Sequence, residues 1–176
     1  MNKTIKYIIF IGIAFLFSGC SDSIGTQSKP FNSTKHYTQE LKAVRRERYK
    51  KGKLLNKSEM QLLWELEDAL KGKNYRIILQ TSLGAFLQHN DKNAFLKVNC
   101  KRADFVIMNR FGYPEAVIEY NGEGHYSKDS DLRDNIKEIA CNSAEIPFVT
   151  ITYKDKNDLR KAVQEKVLPV LYQFRA

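Results

Sequence analysis

Arg102-Ala103-Asp104-Phe105-Val106-Ile107-Met108-Asn109-Arg110-Phe111-Gly112-Tyr113-Pro114-Glu115-Ala116-Val117-Ile118-Glu119-Tyr120 decides the fold. Two apolar runs, Ala103–Met108 and Ala116–Tyr120, flank a short stretch of turn-forming residues, which predicts a β-hairpin. With a tight turn centred on Phe111-Gly112, antiparallel partners have residue numbers that sum to 223, and Asp104 faces Glu119. Directly opposite side chains share a face, with Cβ atoms ~4.5–5.5 Å apart. Two carboxylates so close repel unless something offsets their charge. A divalent cation would, because hard cations take carboxylate oxygens. Asn121 has the parity of Glu119 and lies on the same face. The alternative is a pair of solvent-facing carboxylates on a bare sheet, but the apolar neighbours on both strands favour a cleft.

Outward from the hairpin, a helix is expected over about Lys57 to Lys71, with Met60, Leu63, Leu66 (or Glu67) and Leu70 at helical spacing and Gly72 as its stop. Tyr75–Gln80 reads as a strand, followed by a loop or short helix around Leu83–Leu87. A second helix is predicted over Asp131–Ala144, with Leu132, Ile136, Ile139 and Ala140 as its apolar stripe. Phe148–Thr152 is a fourth strand, and a last helix starts near Asn157 and ends or kinks at Pro169. The fold class is α/β. The order α-β-β-β-α-β-α, with a strand-helix-strand unit at its end, implies a mixed four-stranded sheet flanked by helices.

The chain has 176 residues, enough for one ordinary domain with extensions. Three Cys exclude a disulfide scaffold, and no Cys-x-x-Cys or closely spaced His pair offers a structural zinc site. The net charge of +9 is uneven: residues 1–52 carry ten Lys/Arg against three Asp/Glu, residues 53–176 nineteen against seventeen. The excess concentrates in Lys42–Lys51, a segment suited to phosphates or anionic lipid headgroups, or simply to solvent. At the start, Lys3 and Lys6 precede an uncharged apolar run from Tyr7 to Phe17. Eleven residues are too few to span ~30 Å of hydrocarbon, but suit a signal-peptide core. Leu16-Phe17-Ser18-Gly19-Cys20 resembles a bacterial lipobox, which implies cleavage before Cys20 and lipid on its sulfur; a plain secreted protein is the alternative. Ser21 after the cysteine implies the outer membrane, facing the periplasm. The expected organisation is a lipoprotein signal peptide (1–19), a flexible basic tether (20–53) and a folded domain (54–176).

The folded part resembles the restriction-endonuclease-like superfamily with the PD-(D/E)XK signature, and within it the domain of unknown function 2726, related to very-short-patch-repair-type nucleases. The residues that carry the likeness are Leu55-Asn56-Lys57-Ser58-Glu59, Gln80, Arg102–Ile107, Ala116–Tyr120 with Asn121-Gly122-Glu123-Gly124-His125, Arg133-Asp134 with Lys137, and Ile146-Pro147. The resemblance implies a restriction-endonuclease-like core and a Mg²⁺ or Mn²⁺ ion held by Asp104 and Glu119, usually with the Tyr120 carbonyl. It also implies that a first-helix acid, here Glu59, reaches the metal directly or through water. Glu59 has a second reading as the third residue of a capping box with Asn56. The superfamily places Lys two residues after the second acid. Asn121 stands there and cannot act as a base. His125, with a reference pKa near ~6.5, is the natural substitute, unless it is a plain loop residue. Lys137 and Arg133, one helical turn apart, could reach over the sheet or face solvent. Gln80 is either a supporting residue of the site or a strand end.

Together these features imply metal-dependent hydrolysis of nucleic-acid phosphodiesters, DNA ahead of RNA, by an envelope-anchored nuclease-like lipoprotein. In that scheme Asp104, Glu119, His125 and Lys137 carry catalysis, while Gln80, Asn121 and Arg133 contact substrate. Two alternatives stay open. One is a nuclease fold without catalysis that binds nucleic acid or protein in an envelope machine. The other is a structural lipoprotein whose basic segment grips anionic surfaces. Purified chain offered plasmid and RNA, with and without Mg²⁺ or Mn²⁺, would discriminate.

Overall fold

A computed structural model describes residues 33–122 and 128–172 of the chain. The chain forms two compact units, residues 1–50 and 51–176. In the first, Ser33–Arg46 is a helix, α1, ending in Arg45 and Arg46. The flexible tether expected over 20–53 therefore includes a helical segment, one in which Tyr37, Leu41 and Val44 recur at helical spacing. Among the described residues no helix is long and apolar enough to cross a membrane.

The second unit opens with α2, Lys57–Leu70, whose start is a complete capping box: Glu59 N–H donates to Asn56 Oδ1 (2.9 Å) and Asn56 N–H to Glu59 Oε2 (2.7 Å). Its buried stripe is Leu62, Leu66 and Leu70, with Met60 and Leu63 packed at the margin. The expected stripe through Met60 and Leu63 is thus rotated on the helix. Strand β1, Tyr75–Ser82, leads into a 3₁₀ turn, Leu83–Ala85, and a short helix, α3, Lys92–Val98. Asp91 caps α3 by accepting from Ala94 N–H at 2.7 Å. Gly84 lies so close to Asn99 that an added Cβ would meet its backbone at 2.9 Å, so only glycine lets the two segments touch.

The hairpin follows as β2, Arg102–Asn109, and β3, Pro114–Asn121. Its core register, Phe105 to Ile118, Val106 to Val117 and Ile107 to Ala116, has the expected sum. The turn differs. Asn109 N–H donates to the Tyr113 carbonyl (2.9 Å) and Gly112, at φ +91°, closes on the Asn109 carbonyl (3.1 Å). The turn is therefore centred on Phe111. A one-residue shift between Ile107 and Met108, which leaves Glu115 as the extra residue of a bulge, restores the core register. Helix α4, Lys128–Ser143, then crosses back to β4, Phe148–Thr152, which pairs parallel to β3. The sheet order is β1-β2-β3-β4, antiparallel except for the last pair. This is an α/β unit with a mixed four-stranded sheet flanked by helices.

After a 3₁₀ turn, Tyr153–Asn157, Asp158 caps α5, Leu159–Ala162. A π-helical turn, Val163–Val167, then widens the coil before α6, Leu168–Tyr172. The helix runs on through Pro169 because the wide turn relieves the ring's clash with the preceding carbonyls. Arg160 ties this end to α2 through Glu65 (3.2 Å) and Asp68 (3.1 Å).

Each sheet face has its own core. Phe105, Ile107, Ile118 and Ile151 pack with Leu62, Leu66, Val163 and Val167 on one side. Val106 and Val117 pack with Leu83, Leu87, Cys141 and Ile146 on the other. Asp104 and Glu119 have the parity of Val106 and Val117, so they open on the α4 side. Of the stripe expected to bury α4, only Ala140 packs against the core. Leu132 (60% exposed), Ile136 (41%) and Ile139 (61%) face solvent, while Lys137 and Cys141 are buried.

Candidate active site

β2 and β3 carry Asp104 and Glu119 between neighbouring residues that are apolar and buried. Asp104 follows buried Ala103 and precedes buried Phe105; Glu119 sits between buried Ile118 and Tyr120. The register from Phe105 to Ile118, extended by one residue, sets them opposite one another. Both line a cleft of about 400 Å³.

Asp104 is held from two sides. Its Oδ1 accepts from Gln80 Nε2 at 3.1 Å, and its Oδ2 from the Tyr120 backbone N–H at 3.0 Å. Gln80 reaches it from an unusual backbone, with φ +48° in mid-strand. The pairs Leu79 to Phe105 and Thr81 to Ala103 lie in one register on either side, so no bulge explains it.

Glu119 is 4% exposed. Its Oε2 accepts from Lys137 Nζ at 2.7 Å, and Lys137 Nζ also meets Asp134 Oδ1 at 2.9 Å. The other oxygen, Oε1, is buried without a hydrogen-bond partner among the described residues. Burial, and then the Asp104 charge, push the Glu119 carboxyl up to about 7, against the pull of Lys137. Burial alone would lower the Lys137 pKa, but the charge of Glu119 and its two hydrogen bonds outweigh this and raise it, so its amine is an ammonium. Behind the pair, burial and the Glu119 charge push the Cys141 thiol up to about 12, which leaves it inert.

The structure thus brings together Asp104, Glu119, Lys137, Gln80, Asn121, Arg133 and Glu59 around one cleft. Glu59 lines it while its carboxylate serves the capping box. Among the described residues no group of three or more His, Cys, Asp or Glu side chains is arranged to hold a metal. His125 and Cys20 lie outside the described residues. Three participants had no role assigned from the sequence. Lys101 and Arg102 add positive charge to the rim, and the Lys-Arg dipeptide just ahead of Asp104 was their signal. Asp134, three residues before Lys137, occupies the spacing at which helical side chains pair.

An α/β sheet with a basic-rimmed carboxylate pair, one member of it buried, defines the class of the domain. The chain belongs to the family described as protein of unknown function (DUF2726), which it matches over residues 51–167. It is 44% identical over 104 residues to an uncharacterized protein of Haemophilus influenzae, covering 58% of this chain and 55% of that one. The chain therefore spans about half the length of that relative. It is also 30% identical over 118 residues to uncharacterized protein y4bI of Sinorhizobium fredii, covering 65% of this chain and 86% of that one. No solved structure matches the chain.

Proposed function

We propose that the chain is a metal-dependent nuclease with a restriction-endonuclease-like core, anchored in the bacterial envelope by lipid on Cys20. One observation carries the catalytic reading: Glu119 is buried beside Asp104 with one carboxylate oxygen left unpartnered. Lys137 offsets one oxygen of Glu119, but the buried, unpartnered Oε1 beside the Asp104 charge remains costly, and a cation would offset both. Two carboxylates are enough for Mg²⁺ or Mn²⁺, because such ions keep several waters and share substrate phosphate oxygens. Asp104 and Glu119 would hold the ion, and Glu59 lines the same cleft. Bound there, the ion would acidify a water molecule and take up charge on the phosphate.

The chain's own groups do the remaining work. Gln80 and the Tyr120 N–H fix the Asp104 carboxylate. Lys137 fixes Glu119 and, already an ammonium, acts as a donor to developing negative charge rather than as a base. Arg133, Lys101 and Arg102 on the rim supply charge for phosphates. His125 remains the proposed proton acceptor.

A second reading, an inactive nuclease-fold module that binds nucleic acid or protein, is favoured by Asn121 at the position the superfamily gives to Lys. Incubation of the chain with plasmid and with RNA tests both, in EDTA and with Mg²⁺ or Mn²⁺. Cutting that needs the ion and disappears in Asp104→Asn supports the nuclease. Substrate retention with neither cutting nor ion uptake supports the inactive module.

A further inference from the structure

Beside the carboxylate cleft lies a second groove of about 580 Å³, lined by Lys53, Leu54, Lys57, Met60, Trp64 and Leu79 among others. Its walls are mostly apolar, and two of its side chains are unusually bare: Trp64 is 58% exposed and Leu54 61%. A single exposed apolar residue needs no explanation. A tryptophan, a leucine and a methionine sharing one groove with two lysines form a continuous feature. Among the described residues, neither Lys53 nor Lys57 is held in an ion pair.

The groove joins the cleft. Leu54 lines both. Along α2, Glu59 lines the cleft and Trp64 the groove. Five residues of helix set them ~7.5 Å apart along the axis and about 140° apart around it, so cleft and groove open on different sides of α2.

We propose that this groove is a stacking site for the bases of a single-stranded nucleic acid whose backbone continues into the carboxylate cleft. The continuation rests on the nuclease reading; the stacking site itself does not. An exposed indole offers a face on which any base can stack, and cations beside it take the phosphates. Charge complements in that sense, with Lys53 and Lys57 at the groove and Lys101, Arg102 and Arg133 at the cleft. A duplex hides its base faces inside the stack, so the surface suits an unpaired strand, such as a frayed end or a displaced strand.

Trp64 is the single tryptophan of the chain, so its emission reports on this groove alone. The full chain is titrated in EDTA with oligodeoxythymidylate of about a dozen nucleotides, within the range that single-strand sites cover. Saturable quenching is expected, weaker with a duplex of equal length. By anisotropy of labelled oligonucleotide, Trp64→Ala should bind about tenfold more weakly or worse, while Trp64→Phe keeps most of the affinity. Because Trp64 is exposed, neither variant opens the core. Binding without quenching, equal binding by Trp64→Ala, or a duplex that binds and quenches as well as the single strand would each overturn the proposal. So would no binding at all, which would leave the groove to a peptide or protein. Quenching in a chain that never cuts would sink the nuclease reading and leave the stacking site standing; cutting without quenching would do the reverse.

Discussion

Gln80 donates to Asp104 across 3.1 Å from a backbone with φ +48°, in the middle of an otherwise regular strand. A side chain in left-handed backbone costs ~1–2 kcal/mol. Strain of this kind persists where surroundings over-determine it, and it clusters at functional sites. The prediction is a reversed order of stability. In an ordinary strand, Gly is less stable than Ala by ~0.5–1 kcal/mol. At position 80, Gln80→Gly should be more stable than Gln80→Ala by about 1 kcal/mol, since both lose the hydrogen bond and only glycine relieves the strain. Urea unfolding of the two variants decides. Should Ala prove the better residue, the left-handed conformation is not what the chain adopts in solution.

Glu119 makes the metal-free protein sensitive to pH in an unusual direction. Its carboxyl is raised from 4.5 to about 7 in the folded chain, first by burial and then by Asp104. Between those values the folded state keeps a proton that the unfolded state has released. Stability therefore falls as pH rises through this window, by at most about 3 kcal/mol. In EDTA, the urea midpoint should drop from about pH 5 to about pH 8, and Glu119→Gln should remove this part of the slope. A parent and a variant with parallel profiles would rule the account out.

Lys137 is the partner that makes a buried Glu119 tolerable. Removing one member of a buried ion pair leaves a charge without compensation, a loss of ~3–5 kcal/mol in other proteins. Here Glu119 has an escape, because it can take up a proton. Lys137→Met should cost about 3 kcal/mol at about pH 8 and clearly less at about pH 5. Adding Glu119→Gln should recover most of the loss at the higher pH, as a double-mutant cycle by urea unfolding would register. Strictly additive losses would mean that the 2.7 Å contact contributes nothing.

The sheet and the acid pair were legible because their signals are local. Phe105–Ile107 and Ala116–Ile118 are short apolar runs around one turn, and the bulge at Glu115 offsets the shifted turn centre. Other features were hidden for physical reasons. Helix α3 has seven residues and too little periodicity to read. Nothing about glutamine signals a left-handed backbone, so the strain at Gln80 had no trace in the sequence. Helix α4 was legible as a helix, but of its expected apolar stripe only Ala140 meets the core. A helix that covers an acidic cleft must turn Lys137 inward, which carries Leu132, Ile136 and Ile139 to the outside. Polar-inward helices invert the usual amphipathic rule wherever the site lies beneath them.

That inversion gives the last prediction. A helix packed through an apolar stripe at Leu132, Ile136 and Ile139 would lose ~2–5 kcal/mol on truncation of one of these side chains. Ile139 is 61% exposed and Cys141, two residues on, is fully buried. Ile139→Lys should therefore change stability by no more than about 0.5 kcal/mol, as substitutions at open surface positions do. Cys141→Asp should cost several kcal/mol, since it would add a buried carboxylate beside Glu119. Thermal or urea unfolding of the two variants reads out which face of α4 meets the sheet. If Ile139→Lys proves the more damaging, α4 is rotated by about half a turn and Lys137 does not reach Glu119.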